Sequence, residues 1–430
     1  MKKIFIVCLL CSSFSLSAQQ SVLLEKYRSM ALGYNHDLKA AERNISASIE
    51  LEKMARADLK PKLSGAANFN YTGNPLELTL DMPALDNPVS FQGKNLNYGA
   101  SVSLLQPIYT GGRLLESIRI AQHQQSLASS QTEMISSAVC FQTDMQYWNT
   151  VARKEMVDIA SDFKNAVSSL ASTIRERVEA GWVDPQDLLM AEVKLNEAEY
   201  QLLQAQSNFE TGRMALNSII GEELEHATPT DSCIPVVSVA DSLLHQEVYD
   251  RPELKIAHDK IKIEESSLKL NDSQYKPQLY LGIDGSYSSP GYNFHSDLDP
   301  NYAIYAKLSI PIFEWGKRKS QKRASTRRIE MATDNLNKVA DHVRLEVQTA
   351  RVALLQAIRR IDLAESSLGK AEENEGKALE RYAEGKVSIL EVIDAQTYRQ
   401  TAQVNYVQAK VSAQGHYSEL IKALNRYKYE

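Results

Sequence analysis

The chain has 430 residues, 24% of them charged, and a formal net charge of −6. A mean hydropathy of −0.34, with no mature stretch near the roughly 20 apolar residues a spanning helix needs, argues against helical membrane spans. The acidic balance gives no footing for nucleic acid. No nucleotide-binding loop is present and the histidines form no triad-like or metal-like cluster, so neither an enzyme nor a cofactor is expected.

Lys2-Lys3, the apolar run Ile4 to Leu10 and the small-residue end at Ser17-Ala18 read as a secretory signal peptide over 1–18. Bulky Leu10 before Cys11 speaks against an acylated N-terminus. Of the four cysteines, Cys140 and Cys233 remain after cleavage. One lies in a helical run and the other in a linker, so two free thiols are expected rather than a disulfide.

A first helix is predicted from Val22 to Leu59, ending before Pro61. Next comes a period-2 strand over 62–71, with Leu63, Gly65, Ala67, Phe69 and Tyr71 on one face and Lys62, Ser64, Asn68 and Asn70 on the other. After a polar loop over 72–97, a second strand at 97–106 puts Tyr98, Ala100, Val102 and Leu104 opposite Ser101 and Ser103, and the chain turns at Pro107. A long helix over 112–180 follows, 68 residues of it free of Gly and Pro, with a partner helix at 185–219 and a linker at 221–239.

The second half repeats this order. It has a helix from Leu243 to Tyr275, strands at 278–287 and 301–310, a long helix at 317–384 and a last helix at 388–425. Asp284 and Lys307 fall on the polar strand faces. Tyr98, Leu104, Pro107, Gly112 and Gly181 recur 204 residues later, whereas Lys60-Pro61 and Tyr71 recur at 216. The 12-residue difference falls in the loop between paired strands, which marks that loop as exposed. Two structural repeats, 19–220 and 240–430, are therefore expected.

Strands of about ten residues with one apolar face fit a soluble sandwich, but they also match a tilted bilayer crossing. Tyr71, Tyr98, Tyr287, Tyr292 and Tyr302 cluster at the loop ends, where interfacial aromatics belong. Four strands cannot close a barrel alone, and open edges are not tolerated in lipid. Two copies would give about eight strands and a filled interior; three would give about twelve and a lumen lined by the polar faces. Each long helix is about 100 Å of rod. Heptads such as Val347, Leu354, Ile361, Leu368 and alanine stripes such as Ala191, Ala198, Ala205 and Ala395, Ala402, Ala409 call for close helical neighbours. At the far turns, Gly181 and Gly385 suit left-handed caps. Asp184-Pro185 and the capping box Ser388 to Glu391 suit the helix starts.

These features resemble the TolC-type outer-membrane efflux and secretion channels over essentially the whole mature chain. The carrying motifs are Arg177 to Gly181 and Arg381 to Gly385 (Arg-x-x-x-Gly), Val387 to Gln396, Leu308 to Phe313, and Arg251-Pro252-Glu253-Leu254. The fold class the resemblance implies is mainly α with a small β part: long antiparallel coiled-coil helices forming an α-barrel, fused to a trimeric transmembrane β-barrel. It further implies a homotrimer in outer-membrane lipid, with a periplasmic tunnel meeting an adaptor protein and an inner-membrane pump of RND or ABC type. Arg177, Gly181, Arg381 and Gly385 carry over as adaptor-docking residues, although Trp182-Val183-Asp184-Pro185 departs from the usual small or polar turn. Glu372, Glu373 and Glu375 are candidates for a charged periplasmic constriction, against the alternative of a solvated helix face. Ser101, Ser103, Asp284 and Lys307 would face the lumen.

The expected function is passive export of small molecules. One-step protein secretion competes within the channel class, and a periplasmic coiled-coil scaffold competes from outside it.

Overall fold

The computed structural model of the protein describes residues 21–80, 88–239, 241–246, 250–291 and 297–427. The expected signal peptide, Cys11 and Tyr292 lie outside the described residues. In chain order the elements are α1 (Val22–Tyr34), α2 (His36–Ala57), β1 (Lys62–Tyr71), β2 (Glu77–Leu80), β3 (Val89–Gln92), β4 (Leu96–Tyr109), α3 (Arg113–Glu179) and α4 (Pro185–Ile220). They continue with α5 (Asp241–Leu244), α6 (Pro252–Ser273), β5 (Gln278–Ser289), β6 (Asp299–Ser309), α7 (Lys317–Ala383) and α8 (Ile389–Ala423).

Two compact units share these elements. The first comprises Met1–Ala41, Gln131–Pro252 and Val339–Glu430; the second comprises Glu42–Ser130 and Glu253–Lys338.

The second unit holds a four-stranded antiparallel sheet in the order β1-β4-β5-β6. Its register aligns Leu63 with Leu104, Ile283 and Ile304 on one face, and Ser64 with Ser103, Asp284 and Ala303 on the other. The apolar face is uncovered: Leu63, Phe69, Val102, Tyr302 and Ile304 are all more than half exposed. Among the described residues, β1 and β6 each pair on one side only. Pro107 does not end its strand as expected. β4 runs on to Tyr109 through a register shift at Pro107/Tyr109, which accommodates the missing N–H. The loop over 72–97 contains a small β2–β3 hairpin that sequence periodicity did not reveal.

In the first unit α1 packs Leu24, Tyr27 and Ala31 against Tyr147, Trp148 and Val151 of α3, Leu216 and Ile220 of α4, and Val407 of α8. Tyr27 and Tyr147 are essentially solvent-free, and burial of such side chains is worth roughly 1.5–3 kcal/mol each. Residues 221–239 have no regular structure, but they are packed rather than a bare spacer. Ile234 and Val237 enter two cores, and Asn217 donates to the carbonyls of Glu223, Leu224 and His226.

Two expected helices are each divided. The stretch 22–59 breaks at Asn35, whose extended backbone ends α1 and whose Oδ1 accepts from Leu38 N at 2.8 Å to cap α2. The stretch 243–275 becomes α5 and α6, because Pro252 starts a helix more readily than it continues one. Arg251 before it is 3% exposed, donating to Ala423 O and to Glu346. The two remaining cysteines are free thiols, and burial pushes that of Cys140 up to about 11.

The most buried charge of the first unit is Asp144 on α3, with no solvent exposure. Arg28 of α1 donates to both its oxygens at 2.6 Å, Ser418 Oγ donates at 3.0 Å, and Tyr427 OH donates at 2.5 Å. One carboxylate thus ties α1, α8 and the segment after α8 to α3. Asp144→Ala removes the buried carboxylate on which Arg28, Ser418 and Tyr427 converge, which costs about 3–5 kcal/mol. Thermal unfolding should show a correspondingly large fall in melting temperature. A fall no larger than that of the exposed control Asp341→Ala would contradict this role.

Candidate functional site

Three groups of residues come from the sequence: the helical turns, the acidic group on α7 and the polar strand face.

At the first turn Trp182 N donates to Arg177 O and Gly181 N to Val178 O, both at 2.9 Å. At the second, Lys386 N donates to Arg381 O at 2.9 Å and Gly385 N to Tyr382 O at 3.0 Å. Each is the paired 6→1 and 5→2 bonding of a Schellman cap. In both turns the carbonyl three places inside the helix end belongs to the arginine and the left-handed residue is the glycine; the cap fixes the glycine and uses only the backbone of the arginine. Gly181 and Gly385 have φ of 74° and 72°, and a Cβ on either would meet nothing within 4 Å. Backbone conformation alone demands glycine there.

Asp184 caps α4 as expected, accepting from Gln186 N at 2.8 Å. The expected capping box at Ser388 does not form. Ser388 has the extended N-cap backbone, but its side chain makes no cap hydrogen bond.

The two turns are joined by a contact that the sequence motif did not announce. The Arg177 guanidinium stacks 4.9 Å from the Tyr382 ring centroid and donates to Tyr382 O at 3.4 Å. Tyr382 occupies the place that Val178 holds in the first half, 204 residues earlier, so comparing the two copies at this position was the available signal. It packs with Ile174, Ala191, Ile389 and Val392 from α3, α4 and α8. Burial raises the Tyr382 phenol above its ordinary range, against the opposing charge of Arg177. Arg381 is exposed, and Trp182 beside Gly181 is 80% exposed.

The acidic group is not uniform. Glu375 is buried and paired with Arg399 of α8 at 2.6 Å, and Glu373 pairs with Lys377 at 2.5 Å. Glu372 is exposed and makes no ion pair among the described residues. On the sheet, the register places Ser101, Ser103, Asp284 and Lys307 on one face, and Ser103 donates to Asp284 across β4 and β5. No group of residues able to hold a metal ion occurs among the described residues.

The outer membrane efflux protein family profile matches residues 27–222 and 243–426, with the segment 223–242 between the two matches. The chain belongs to this family. It is an outer-membrane protein of the efflux class, and the family's work is transport. Among relatives, the cobalt-zinc-cadmium resistance protein CzcC of Cupriavidus metallidurans is 21% identical over 306 residues, covering 70% of this chain and 71% of that one. The toluene efflux pump outer membrane protein TtgI of Pseudomonas putida is 22% identical over 376 residues, covering 85% and 77%. The solved outer membrane protein VceC of Vibrio cholerae superposes with a TM-score of 0.78 at 16% identity, over 94% of this chain and 96% of that one. The efflux-family fold therefore extends over nearly all of this chain.

Glu375 gives this region a pH signature. Burial raises its carboxyl above the ordinary glutamate range, Arg399 opposes the rise, and the charge of Glu372 adds to it. With the folded value raised, the stability that Glu375 contributes is complete below about pH 4.3 and is lost as pH rises through the folded value. Glu375→Gln avoids that loss and still offers Arg399 an acceptor. Its melting temperature relative to wild type should therefore rise between about pH 4 and about pH 7. A difference that stays flat or falls over that interval would contradict the assignment.

Proposed function

We propose that this efflux-family protein is the passive outer-membrane channel of a tripartite exporter, active as a homotrimer. The observation that carries the reading is the sheet, which has one exposed apolar face, one polar face and edges at β1 and β6 that have no partner strand among the described residues. Lipid tolerates the first feature and forbids the last. Strand directions alternate across β1-β4-β5-β6, so β6 of one copy can pair antiparallel with β1 of the next. Three copies close about twelve strands around an open lumen, where Ser101, Ser103, Asp284 and Lys307 meet the passing solute.

The internal duplication, 19–220 and 240–430 about the 221–239 segment, supplies two strands and two long helical partners per half. Exposed apolar residues on α4 (Leu189, Val193, Tyr200, Leu203) and on α7 (Leu345, Val352, Leu363) would then pack between copies to wall the tunnel. The tunnel's energy comes from an inner-membrane pump of RND or ABC type, reached through a periplasmic adaptor. Arg381, Gly181, Gly385 and exposed Trp182 form the adaptor-facing turns, while Arg177 acts by bracing the two turns together. Of the three acidic residues, Glu372 is the free charge at a periplasmic constriction. Small solutes are the favoured cargo, because the relatives named above concern metal resistance and toluene efflux.

Purified protein should migrate as a heat-modifiable trimer and give single-channel steps in planar bilayers. A monomer without conductance would overturn the channel reading in favour of a coiled-coil scaffold.

The turns have their own test. Gly385→Arg costs about 1–2 kcal/mol of backbone strain, too little to dissociate the assembly, and puts a bulky cation on the docking surface. Trimers and conductance should persist while export in cells is lost. Intact export, or loss of the trimer, would refute docking at this turn.

A further inference from the structure

The start of α7 carries a charge pattern that neither the sheet nor the turns use. Residues 317–328 contain seven basic side chains and no acidic one, whereas the corresponding segment 113–124 has only Arg113 and Arg119, with Glu116 in the first turn of α3. The N-terminal end of a helix is the positive end of its dipole, so cations without acidic company are repelled there. α7 has no acidic residue in its first turn.

Part of this charge is answered within the chain. Arg318 donates to Asp272 of α6 at 2.8 Å, Lys317 lies 3.6 Å from Glu314, and Arg327 pairs with Glu330 at 2.6 Å. Lys319 and Arg323 are exposed and make no ion pair among the described residues. They stand one turn apart on the helix face opposite the buried Ser325.

The residues just before α7 are equally unexplained by the fold. Ile312 is 94% exposed, Phe313 69% and Trp315 91%, with the Phe313 and Trp315 rings edge to face at 5.0 Å. Trp315 has φ of 46°, a left-handed backbone at the position where the first half has Gly111 at 65°. A side chain that strains its backbone to stand in water is explained if its surroundings are not water. From β6 into α7 the chain therefore presents, in order, the apolar strand face, an exposed aromatic pair and unanswered cations. Hydrocarbon, interface and headgroup phosphate follow one another in the same order at a bilayer surface.

We propose that Lys319 and Arg323, with Phe313 and Trp315, form a binding site for an anionic phospholipid of the periplasm-facing leaflet, one per chain. The proposal rests on the apolar sheet face being the lipid-facing one. At about 1.5 Å per residue, Lys319 and Arg323 lie about 3 and 9 Å beyond Lys317, whereas Arg327 lies about 15 Å beyond it. A headgroup layer is about 5–8 Å deep, so Lys319 falls within it, Arg323 lies at its outer edge within reach of its long side chain, and Arg327 falls well outside. The first half, with two basic residues and a glycine in place of the tryptophan, does not repeat the site.

Full-length protein, delipidated in detergent, would be titrated with short-chain phosphatidylglycerol and phosphatidylcholine and followed by native mass spectrometry. The expected result is one phosphatidylglycerol retained per chain, preferred over phosphatidylcholine by roughly tenfold or more at low salt and weakened by added salt. Each cation at an anionic surface contributes roughly fivefold, so Lys319→Gln/Arg323→Gln should lose on the order of tenfold or more. Lys319→Arg/Arg323→Lys and the remote control Arg344→Gln should retain it. Absence of the preference, its survival in the Gln variant, or equal competition by inorganic phosphate would overturn the lipid site. If the double Gln variant does not fold, absence of salt dependence in the wild type, or an undiminished preference in Trp315→Ala, overturns it. Wild-type protein that conducts in bilayers without the preference would refute this site and leave the channel standing. Protein that never inserts would refute both.

Discussion

On the proposed channel reading, the structure depends on a backbone constraint: a sheet in lipid may leave no edge unpaired. Among the described residues, β1 and β6 each present a free row of N–H and C=O groups, and no described segment covers the apolar face between them. In water such an edge invites aggregation, and in hydrocarbon each unsatisfied group costs several kcal/mol. Joining copies edge to edge removes both penalties. In the proposed trimer, copies that meet at the strands also bring together the helices that leave β4 and β6. The apolar side chains left exposed on α4 and α7 would then be places for neighbours rather than defects.

The turns show how part of a short motif follows from backbone geometry. A Schellman cap calls for glycine at its left-handed residue and accepts with the backbone carbonyl four places earlier, which in both turns belongs to an arginine. The cation also sits at the negative end of the helix dipole, where it is favoured. In one half this arginine points onward, as Arg381 does. In the other, Arg177 is spent on the Tyr382 ring, and a tryptophan provides the exposed surface instead. The two arginines therefore differ in their surroundings, one stacked on a ring and the other exposed.

Much of this fold could be read from residue order. Alternation over Leu63 to Tyr71 and Tyr98 to Leu104 announced strands because a half-covered strand has a period of two. The absence of Gly and Pro from Arg113 to Ala180 announced a long helix because both residues interrupt helices. What stayed hidden depended on partners distant in sequence. Glu375 sits beside Glu372 and Glu373 and looks like them, until Arg399 of another helix draws it into a buried pair. Asp144 is an ordinary polar residue of α3 until Arg28, Ser418 and Tyr427 converge on it. Asn35 hid for the opposite reason: its effect is local, but a single side chain accepting from Leu38 N leaves no trace in hydrophobic periodicity. Ser388 marks the limit of motif reading, since a fitting capping sequence gave the N-cap backbone without the side-chain bond.

The two halves diverge at their corresponding ends, and the divergence has a common logic. Where the first half enters its long helix through Gly111-Gly112, the second enters through Trp315-Gly316. Where the first ends near Val178, the second ends near Tyr382. In each case a small or aliphatic residue is matched by an aromatic that makes a contact its counterpart cannot. In the proposed trimer both halves would alternate around the same ring. Each ring of contacts would then be made of two kinds of site, and each kind could specialise without disturbing the backbone plan they share. The aromatic at one end braces a turn from within. The one at the other end stands exposed beside a row of cations, where the same aromatic surface can be used from outside.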